Sequence, residues 1–128
     1  MPNKEMILPE GGAKPLAAYS PGIRYAHLLF TAGQIGLDPA TGKLVEGGLA
    51  AEARQALENL SAILKAGGAS FERVIKVTVF LADMADYAAF NEIYAEYVQG
   101  DPPARSAVQV GGLPAGAQVE IEAIAGLA

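Results

Sequence analysis

Two short segments near the C-terminus carry the side chains best suited to chemistry. They are Pro103-Ala104-Arg105-Ser106-Ala107 and Val119-Glu120-Ile121-Glu122-Ala123. Two consecutive prolines just before Arg105 reduce the freedom of the chain there. A guanidinium held in this way is suited to binding a carboxylate through two parallel hydrogen bonds. Arg105 is therefore a candidate for binding a carboxylate.

Glu120 and Glu122 in the second segment are candidates for proton transfer. On a strand they share one face, with Cα atoms about 6.6–6.8 Å apart. Two carboxylates this close raise each other's pKa, which suits a group that moves protons near neutral pH. We expect a hairpin to bring Arg105 beside this strand. On spacing alone, an ordinary cross-strand Arg–Glu pair is favoured over a catalytic arrangement, and the spacing does not say which glutamate is better placed.

The elements that must position these residues follow from periodicity and turn residues. A short edge strand at Met6-Ile7-Leu8 is possible, and the first helix carries an apolar stripe from Leu49 to Leu64 and stops at Gly67-Gly68. The other predicted elements are a strand over 25–34, a strand over 74–81, a helix from Asp83 as N-cap to Gly100, and strands over 104–110 and 117–125 joined by a hairpin-type loop. The order β-β-α-β-α-β-β predicts an α+β sheet with two helices on one face.

The strand over 74–81 has two unlike faces. Ile75, Val77, Val79 and Leu81 are expected to pack on the helices, because alternate side chains on a strand share a face. The opposite face is only partly polar. We hypothesise that this second face contacts another subunit.

Composition excludes most other catalytic systems. The chain has no cysteine, which excludes disulfides, thiolate zinc sites and cysteine nucleophiles. The single histidine, His27, lies within a predicted strand without a glycine-framed serine nearby, so a half-exposed strand residue is favoured over a catalytic base. One histidine disfavours a transition-metal site, and no glycine-rich phosphate loop is present. We expect no bound metal.

Length and charge bound the remaining possibilities. The 128 residues fit one domain, residues 1–128. A net charge of −5 and nine scattered Lys and Arg residues disfavour nucleic-acid binding. The N-terminus does not read as a signal peptide, and no apolar run approaches the roughly 18 residues of a membrane span. Together with the lack of cysteine, this favours the cytoplasm.

Several motifs, in order and over nearly the whole chain, resemble the reactive intermediate deaminase (RidA, YjgF-like) family. The most specific are Pro103-Ala104-Arg105-Ser106 and Val119-Glu120-Ile121-Glu122-Ala123-Ile124-Ala125. The others are Ala18-Tyr19-Ser20-Pro21-Gly22, Phe30-Thr31-Ala32-Gly33-Gln34-Ile35-Gly36, Ala53-Arg54-Gln55-Ala56-Leu57-Glu58-Asn59-Leu60, and Val77-Thr78-Val79-Phe80-Leu81 with Asn91.

This resemblance implies a chorismate-mutase-like fold and a homotrimer whose sheets form a central barrel with clefts between subunits. It implies hydrolysis of 2-aminoacrylate and 2-aminocrotonate, through their imine tautomers, to 2-keto acids and ammonia. These substrates arise from pyridoxal-phosphate enzymes acting on serine and threonine. The deaminase itself would use no cofactor.

The resemblance also assigns roles by position. Arg105 would bind the substrate carboxylate, and Glu120 would position the attacking water and help to move its proton. Supporting roles fall to the backbone amides of Gly33 and Ala107 and to three residues lining the cleft, Tyr19, Tyr87 and Asn91. Many members have Cys at position 107 and Ser at position 32, where this chain has alanine. A hydroxyl contact at position 32 is therefore lost.

Three other functions remain open. A trimeric sensor of 2-keto acids or similar metabolites would keep Arg105 without needing Glu120. Ribonuclease or translation-inhibitor activity, attached to some family members, is disfavoured by the charge of −5. A structural partner of a metabolic enzyme is the third.

Overall fold

The computed structural model describes residues 3–128, so Met1 and Pro2 of the predicted domain lie outside it. Its elements are β1 (Glu5–Ile7), β2 (Gly22–Tyr25), β3 (Leu28–Thr31), α1 (Gly48–Ala66), β4 (Val74–Leu81), α2 (Tyr87–Tyr94), β5 (Ala104–Gln109) and β6 (Val119–Gly126). The strands form one six-stranded sheet in the order β1-β2-β3-β6-β4-β5. β5 runs parallel to β4, and the other neighbouring strands are antiparallel. The predicted α+β class is confirmed.

Both helices pack against one face of the sheet, as predicted. The apolar stripe of α1, including Leu57, Leu60 and Leu64, is fully buried in one core with the inward residues of β4 and β6. Burying each such side chain contributes about 1.5–3 kcal/mol. α1 ends at Ala66, where the Gly67 N–H donates back to Ile63 O at 3.0 Å. Within residues 3–128, no helix is both long and apolar enough to cross a membrane.

The predicted single strand over 25–34 is wrong. The chain forms the antiparallel hairpin β2–β3 instead, turning at Ala26 and His27. Ala26 has a left-handed backbone, with φ at 53°. Glycine or asparagine normally marks such a turn, and neither is present here. His27 therefore lies exposed in a turn and not within a strand.

A β-bulge changes the predicted faces of β4. The register against β6 shifts between Val74 and Lys76, so Ile75 is the extra residue of the bulge. Ile75 is 53% exposed, whereas Val74 is buried. The prediction that Ile75 packs on the helices was wrong. Val77 and the alternate residues after it face the core as predicted.

The second helix is shorter than predicted. The Asp83 carboxylate accepts a hydrogen bond from Ala85 N at 2.9 Å, but it caps a 3₁₀ turn over residues 84–86. Regular α-helix spans only Tyr87–Tyr94. Turns follow, and Gly100 lies beyond the end of the helix.

The predicted hairpin between the last two strands is also wrong. β4 lies between β5 and β6 and pairs with both of them. The partner of Arg105 is Val77, which faces the helices, whereas the partner of Glu120 is Phe80, on the other face. Arg105 and Glu120 therefore leave the sheet on opposite faces. The prediction failed because residues 110–118 cross over β4 and do not turn back on β5.

Candidate active site

One face of α2 surrounds Arg105. Tyr87, Phe90, Asn91 and Tyr94 occupy positions i, i+3, i+4 and i+7 of the helix, so their side chains lie along one side. Arg105 Nη2 donates to Asn91 Oδ1 at 2.8 Å and to Tyr87 OH at 3.1 Å. These bonds fix the plane of the guanidinium. The predicted residues Arg105, Tyr87 and Asn91 are thus brought together within one chain.

Three aromatic rings complete this arrangement. Arg105 Cζ lies 4.9 Å from the ring centroid of Tyr94, 5.5 Å from that of Tyr87 and 5.9 Å from that of Phe90. Each such contact contributes about 0.5–2 kcal/mol, more when water is excluded. Burial raises the pKa of Tyr94, while the charge of Arg105 partly opposes this effect. Tyr94 therefore stays neutral beneath the cation.

Sequence reasoning missed Phe90 and Tyr94 as neighbours of Arg105. Both lie in the predicted second helix, where aromatic residues at this spacing are typical of a buried stripe. The usable signal was their spacing, which puts them on the same face as Tyr87 and Asn91. Ala107, two residues after Arg105 on β5, packs partly buried against the same core.

Glu120 occupies the other face of the sheet, where Gly33 lies against its side chain. Gln34 and Ile121 exchange two backbone hydrogen bonds, of 2.7 and 2.9 Å, that hold this segment against β6. A Cβ atom at Gly33 would overlap the Glu120 carboxylate. Only glycine allows this close approach of backbone and acid.

The Glu120 carboxylate is suited to proton transfer. Its pKa is raised, first by burial and second by the charge of Glu122. Glu122 lies two residues along the same face, opposite Thr78. A carboxylate whose pKa is raised towards neutrality accepts and returns protons more effectively.

An open cavity adjoins Glu120. It measures about 320 Å³ and is lined by Leu16, Ala17, Tyr19, Ala32, Gly33, Pro114 and Glu120. The Tyr19 hydroxyl accepts a hydrogen bond from Leu16 N at 3.1 Å, which fixes the ring at the cavity wall. Tyr19, Gly33 and Glu120 thus form a second group, separate from that of Arg105.

The two groups constitute two half-sites. The Arg105 half-site faces the helices, and the Glu120 half-site lies on the opposite face, with β4 between their strands. The expectation that one chain brings Arg105 beside Glu120 was wrong. In the described part of the chain, no carboxylate forms a salt bridge with Arg105, so it is not an ordinary cross-strand pair. No group of three or more His, Asp and Glu side chains in residues 3–128 is placed to hold a metal ion.

Known proteins match both the sequence and the fold. Residues 11–127 match the family model described as Endoribonuclease L-PSP. A 2-iminobutanoate/2-iminopropanoate deaminase from Rattus norvegicus is 53% identical over 110 residues, covering 86% of this chain and 80% of that protein. A RutC family protein from Pyrococcus horikoshii is 52% identical over 122 residues, covering 95% of this chain and 97% of that protein. The structure of YyfA from Yersinia pestis is described as belonging to the conserved Rid protein family. It superposes with a TM-score of 0.94 at 38% identity, covering 98% of this chain and 100% of that chain.

The chain belongs to the RidA family. The family match spans every residue of both half-sites, from Tyr19 to Glu120. Within this RidA-family chain, Ala32 replaces the serine expected from the resemblance, and its backbone N–H donates to Pro21 O at 2.8 Å. The backbone path at this position is therefore kept without a side-chain hydroxyl.

Proposed function

We propose that this chain hydrolyses reactive 2-imino acids, formed from 2-aminoacrylate and 2-aminocrotonate, to 2-keto acids and ammonia. The observation that carries the proposal is Arg105. It is a half-buried cation oriented by Asn91 and Tyr87, and no carboxylate within residues 3–128 pairs with it. Such a group is suited to a carboxylate from outside the chain. The rat relative's name as a 2-iminobutanoate/2-iminopropanoate deaminase supports the same chemistry.

The site would be assembled between subunits of a homotrimer. Arg105 and Glu120 face opposite sides of one sheet, so a second copy must supply the missing half-site. The Glu120 face also carries exposed apolar residues, with Phe30 38% and Val108 43% exposed. Their strand partners Ile124 and Phe80 extend the same patch. An apolar sheet face of this kind is typical of a subunit interface.

In the proposed reaction, Arg105 binds the carboxylate and places the imine carbon near Glu120 of another copy. Glu120 accepts a proton from water as the water oxygen bonds to C2, and the C=N π electrons move to nitrogen. The proton then passes to the amino group of the tetrahedral intermediate. The C–N bond then breaks as Glu120 accepts the proton of the hydroxyl group and the C=O bond forms. This releases the 2-keto acid and ammonia, which takes up that proton from Glu120. An iminium carbon is strongly electrophilic, so positioning and modest general-base assistance suffice.

The remaining residues would support this geometry. The backbone amides of Gly33 and Ala107 would bind the acid, and Tyr19 would form part of the cleft wall. Every step uses side chains, backbone and water alone. Pyridoxal-phosphate enzymes acting on serine and threonine would supply the substrate, and the lack of cysteine suits a reducing cytoplasm.

A coupled assay tests the proposal. Threonine or serine dehydratase generates the imine, semicarbazide traps what survives, and keto-acid release is followed. The wild-type protein should suppress trapping, whereas Arg105→Ala should not. Arg54→Ala is the matched control, because Arg54 forms a surface salt bridge with Glu96 at 2.9 Å and no hydrogen bond with a residue of either half-site. A wild-type protein that matches the protein-free reaction with several amino-acid precursors would contradict imine hydrolysis.

The Arg105 half-site would also serve a sensor that binds 2-keto acids without turnover. Glu120→Gln separates the two functions. A deaminase loses hydrolysis in this variant, whereas a sensor has no hydrolysis to lose and keeps its affinity for the keto acid.

A further inference from the structure

Arg105 donates both of its protein hydrogen bonds from a single nitrogen. Nη2 bonds Asn91 Oδ1 at 2.8 Å and Tyr87 OH at 3.1 Å. Within the described part of the chain, neither Nε nor Nη1 donates to a protein acceptor. Nη2 carries two hydrogens, so these two protein acceptors use its full donor capacity.

This arrangement conflicts with two-point binding of a carboxylate. A guanidinium offers two forked edges to a carboxylate, one formed by Nε with Nη2 and the other by Nη1 with Nη2. Both edges include Nη2. A carboxylate that binds through two parallel hydrogen bonds must therefore displace either Asn91 or Tyr87 from that nitrogen.

Tyr87 is the partner that can leave. Its hydrogen bond to Arg105 is 3.1 Å long, which is 0.3 Å longer than the 2.8 Å bond of Asn91. Tyr87 is 41% exposed in the single chain and begins α2, so fewer contacts within the chain hold its side chain in place. Asn91 is less exposed and lies within the helix. The amide oxygen would therefore stay in place while the phenol yields.

We propose that the Tyr87 hydroxyl occupies the substrate carboxylate's place on Arg105 and is displaced when substrate binds. Tyr87 is then a residue that sets affinity by competing with the ligand, and not a residue that contacts the bound acid. This inference deepens the proposed function, because it assumes that Arg105 binds a carboxylate. If the hydroxyl competes with the ligand, removing it should strengthen ligand binding. If the hydroxyl instead supports the site, removing it would loosen Arg105 and weaken ligand binding.

Direct binding of 2-oxobutanoate to the intact protein, measured by titration calorimetry, tests the inference. Tyr87→Phe keeps the ring over Arg105 and removes only the competing oxygen. Its Kd should fall by about 2- to 10-fold, the factor that one net hydrogen bond supports. Tyr25→Phe is the matched control, since Tyr25 is 45% exposed in the β2–β3 hairpin, away from α2. The Kd of this variant for 2-oxobutanoate should equal that of the wild-type protein.

The outcomes separate the two proposals. If Arg105→Ala abolishes binding and Tyr87→Phe binds more tightly, the displacement and carboxylate binding by Arg105 both stand, and the coupled assay decides hydrolysis separately. If binding depends on Arg105 but Tyr87→Phe binds equally or more weakly, the displacement is wrong and carboxylate binding by Arg105 survives. If the wild-type protein does not bind 2-oxobutanoate, or Arg105→Ala binds as well as wild type, both fail. In the turnover assay, Tyr87→Phe should lower KM by a similar factor, because displacement precedes the chemical step.

Discussion

Arg105 is enclosed by three aromatic rings and one amide, and Glu120 lies against the backbone at Gly33. The sequence supports predictions for Arg105 and Glu120, because a charged side chain in a recognisable motif indicates chemistry by itself. It does not indicate which groups satisfy those charges. Phe90 and Tyr94 read as core residues, since their distance from Arg105 depends on how α2 lies across the sheet.

The effect of Glu122 on Glu120 predicts a shifted pH profile. If deprotonated Glu120 is the base, activity rises with pH through the pKa of that carboxyl. Burial is the first cause of the raised pKa and the charge of Glu122 is the second. Glu122→Gln removes the second cause, so the acidic limb of the kcat/KM profile should move to lower pH.

The exposed Glu72 provides the control, because Glu72→Gln removes the same charge away from the site. The profile of Glu72→Gln should match that of wild type. An acidic limb that stays in place in Glu122→Gln would show that another group controls it.

At the scale of elements, α2 is the part of the fold that prepares the Arg105 half-site. Its regular portion is only eight residues long, yet it supplies four side chains around the guanidinium. The helix could be predicted from its apolar spacing. Its true ends could not, because Asp83 satisfies a 3₁₀ turn as well as an α-helical N-cap.

Substitutions at Tyr94 separate the role of its ring from that of its hydroxyl. The hydroxyl is buried without a hydrogen-bond partner in the described structure. Tyr94→Phe should therefore keep ligand affinity and raise the free energy of unfolding by about 1 kcal/mol, because it removes an unsatisfied polar group. Tyr94→Leu should weaken 2-oxobutanoate binding by about 2- to 10-fold through the lost cation–π contact.

Urea unfolding and calorimetry check the two parts of this prediction. Equal ligand affinities in Tyr94→Leu and Tyr94→Phe would mean that the ring contributes nothing to Arg105. A marked loss of stability in Tyr94→Phe would instead reveal a partner for the hydroxyl.

The segment before Gln34 provides a second test at this scale. Gly33→Ala places a methyl group against the Glu120 carboxylate. The displaced acid should lower kcat by about 10-fold or more, as expected for the loss of general-base assistance. Gly111→Ala is the control, since a Cβ there meets nothing within 4 Å. Comparable activity in both variants would argue against a requirement for close contact at Gly33.

Strand positions were harder to predict than strand types. The β2–β3 hairpin turns at Ala26 without glycine or asparagine, and the bulge at Ile75 leaves no mark in the apolar pattern. The crossover that places β4 between β5 and β6 is a long-range pairing. Local periodicity carries no information about such a pairing, so the expected contact between Arg105 and Glu120 followed from the wrong topology.

At the scale of the whole molecule, the proposed reaction needs both half-sites, and one chain does not bring them together. Each contains part of the required chemistry, and the sheet separates them. The apolar patch around Phe30 and Val108 lies on the Glu120 face, where a second copy would cover it. Symmetric association would then bring unlike half-sites together in a head-to-tail ring.

Activity of mixed oligomers tests this account most directly. Arg105→Ala and Glu120→Gln chains should each be inactive alone, because their defects lie in different half-sites. When equal amounts are co-expressed with different affinity tags, tandem purification isolates mixed assemblies and sedimentation checks for three times the 13.2-kDa chain mass; imine hydrolysis should then return. It should reach about a third of wild-type activity, because each site needs one intact half from each of two neighbours and each mixed ring has one such site. Mixed trimers that stay inactive would contradict a site shared between subunits.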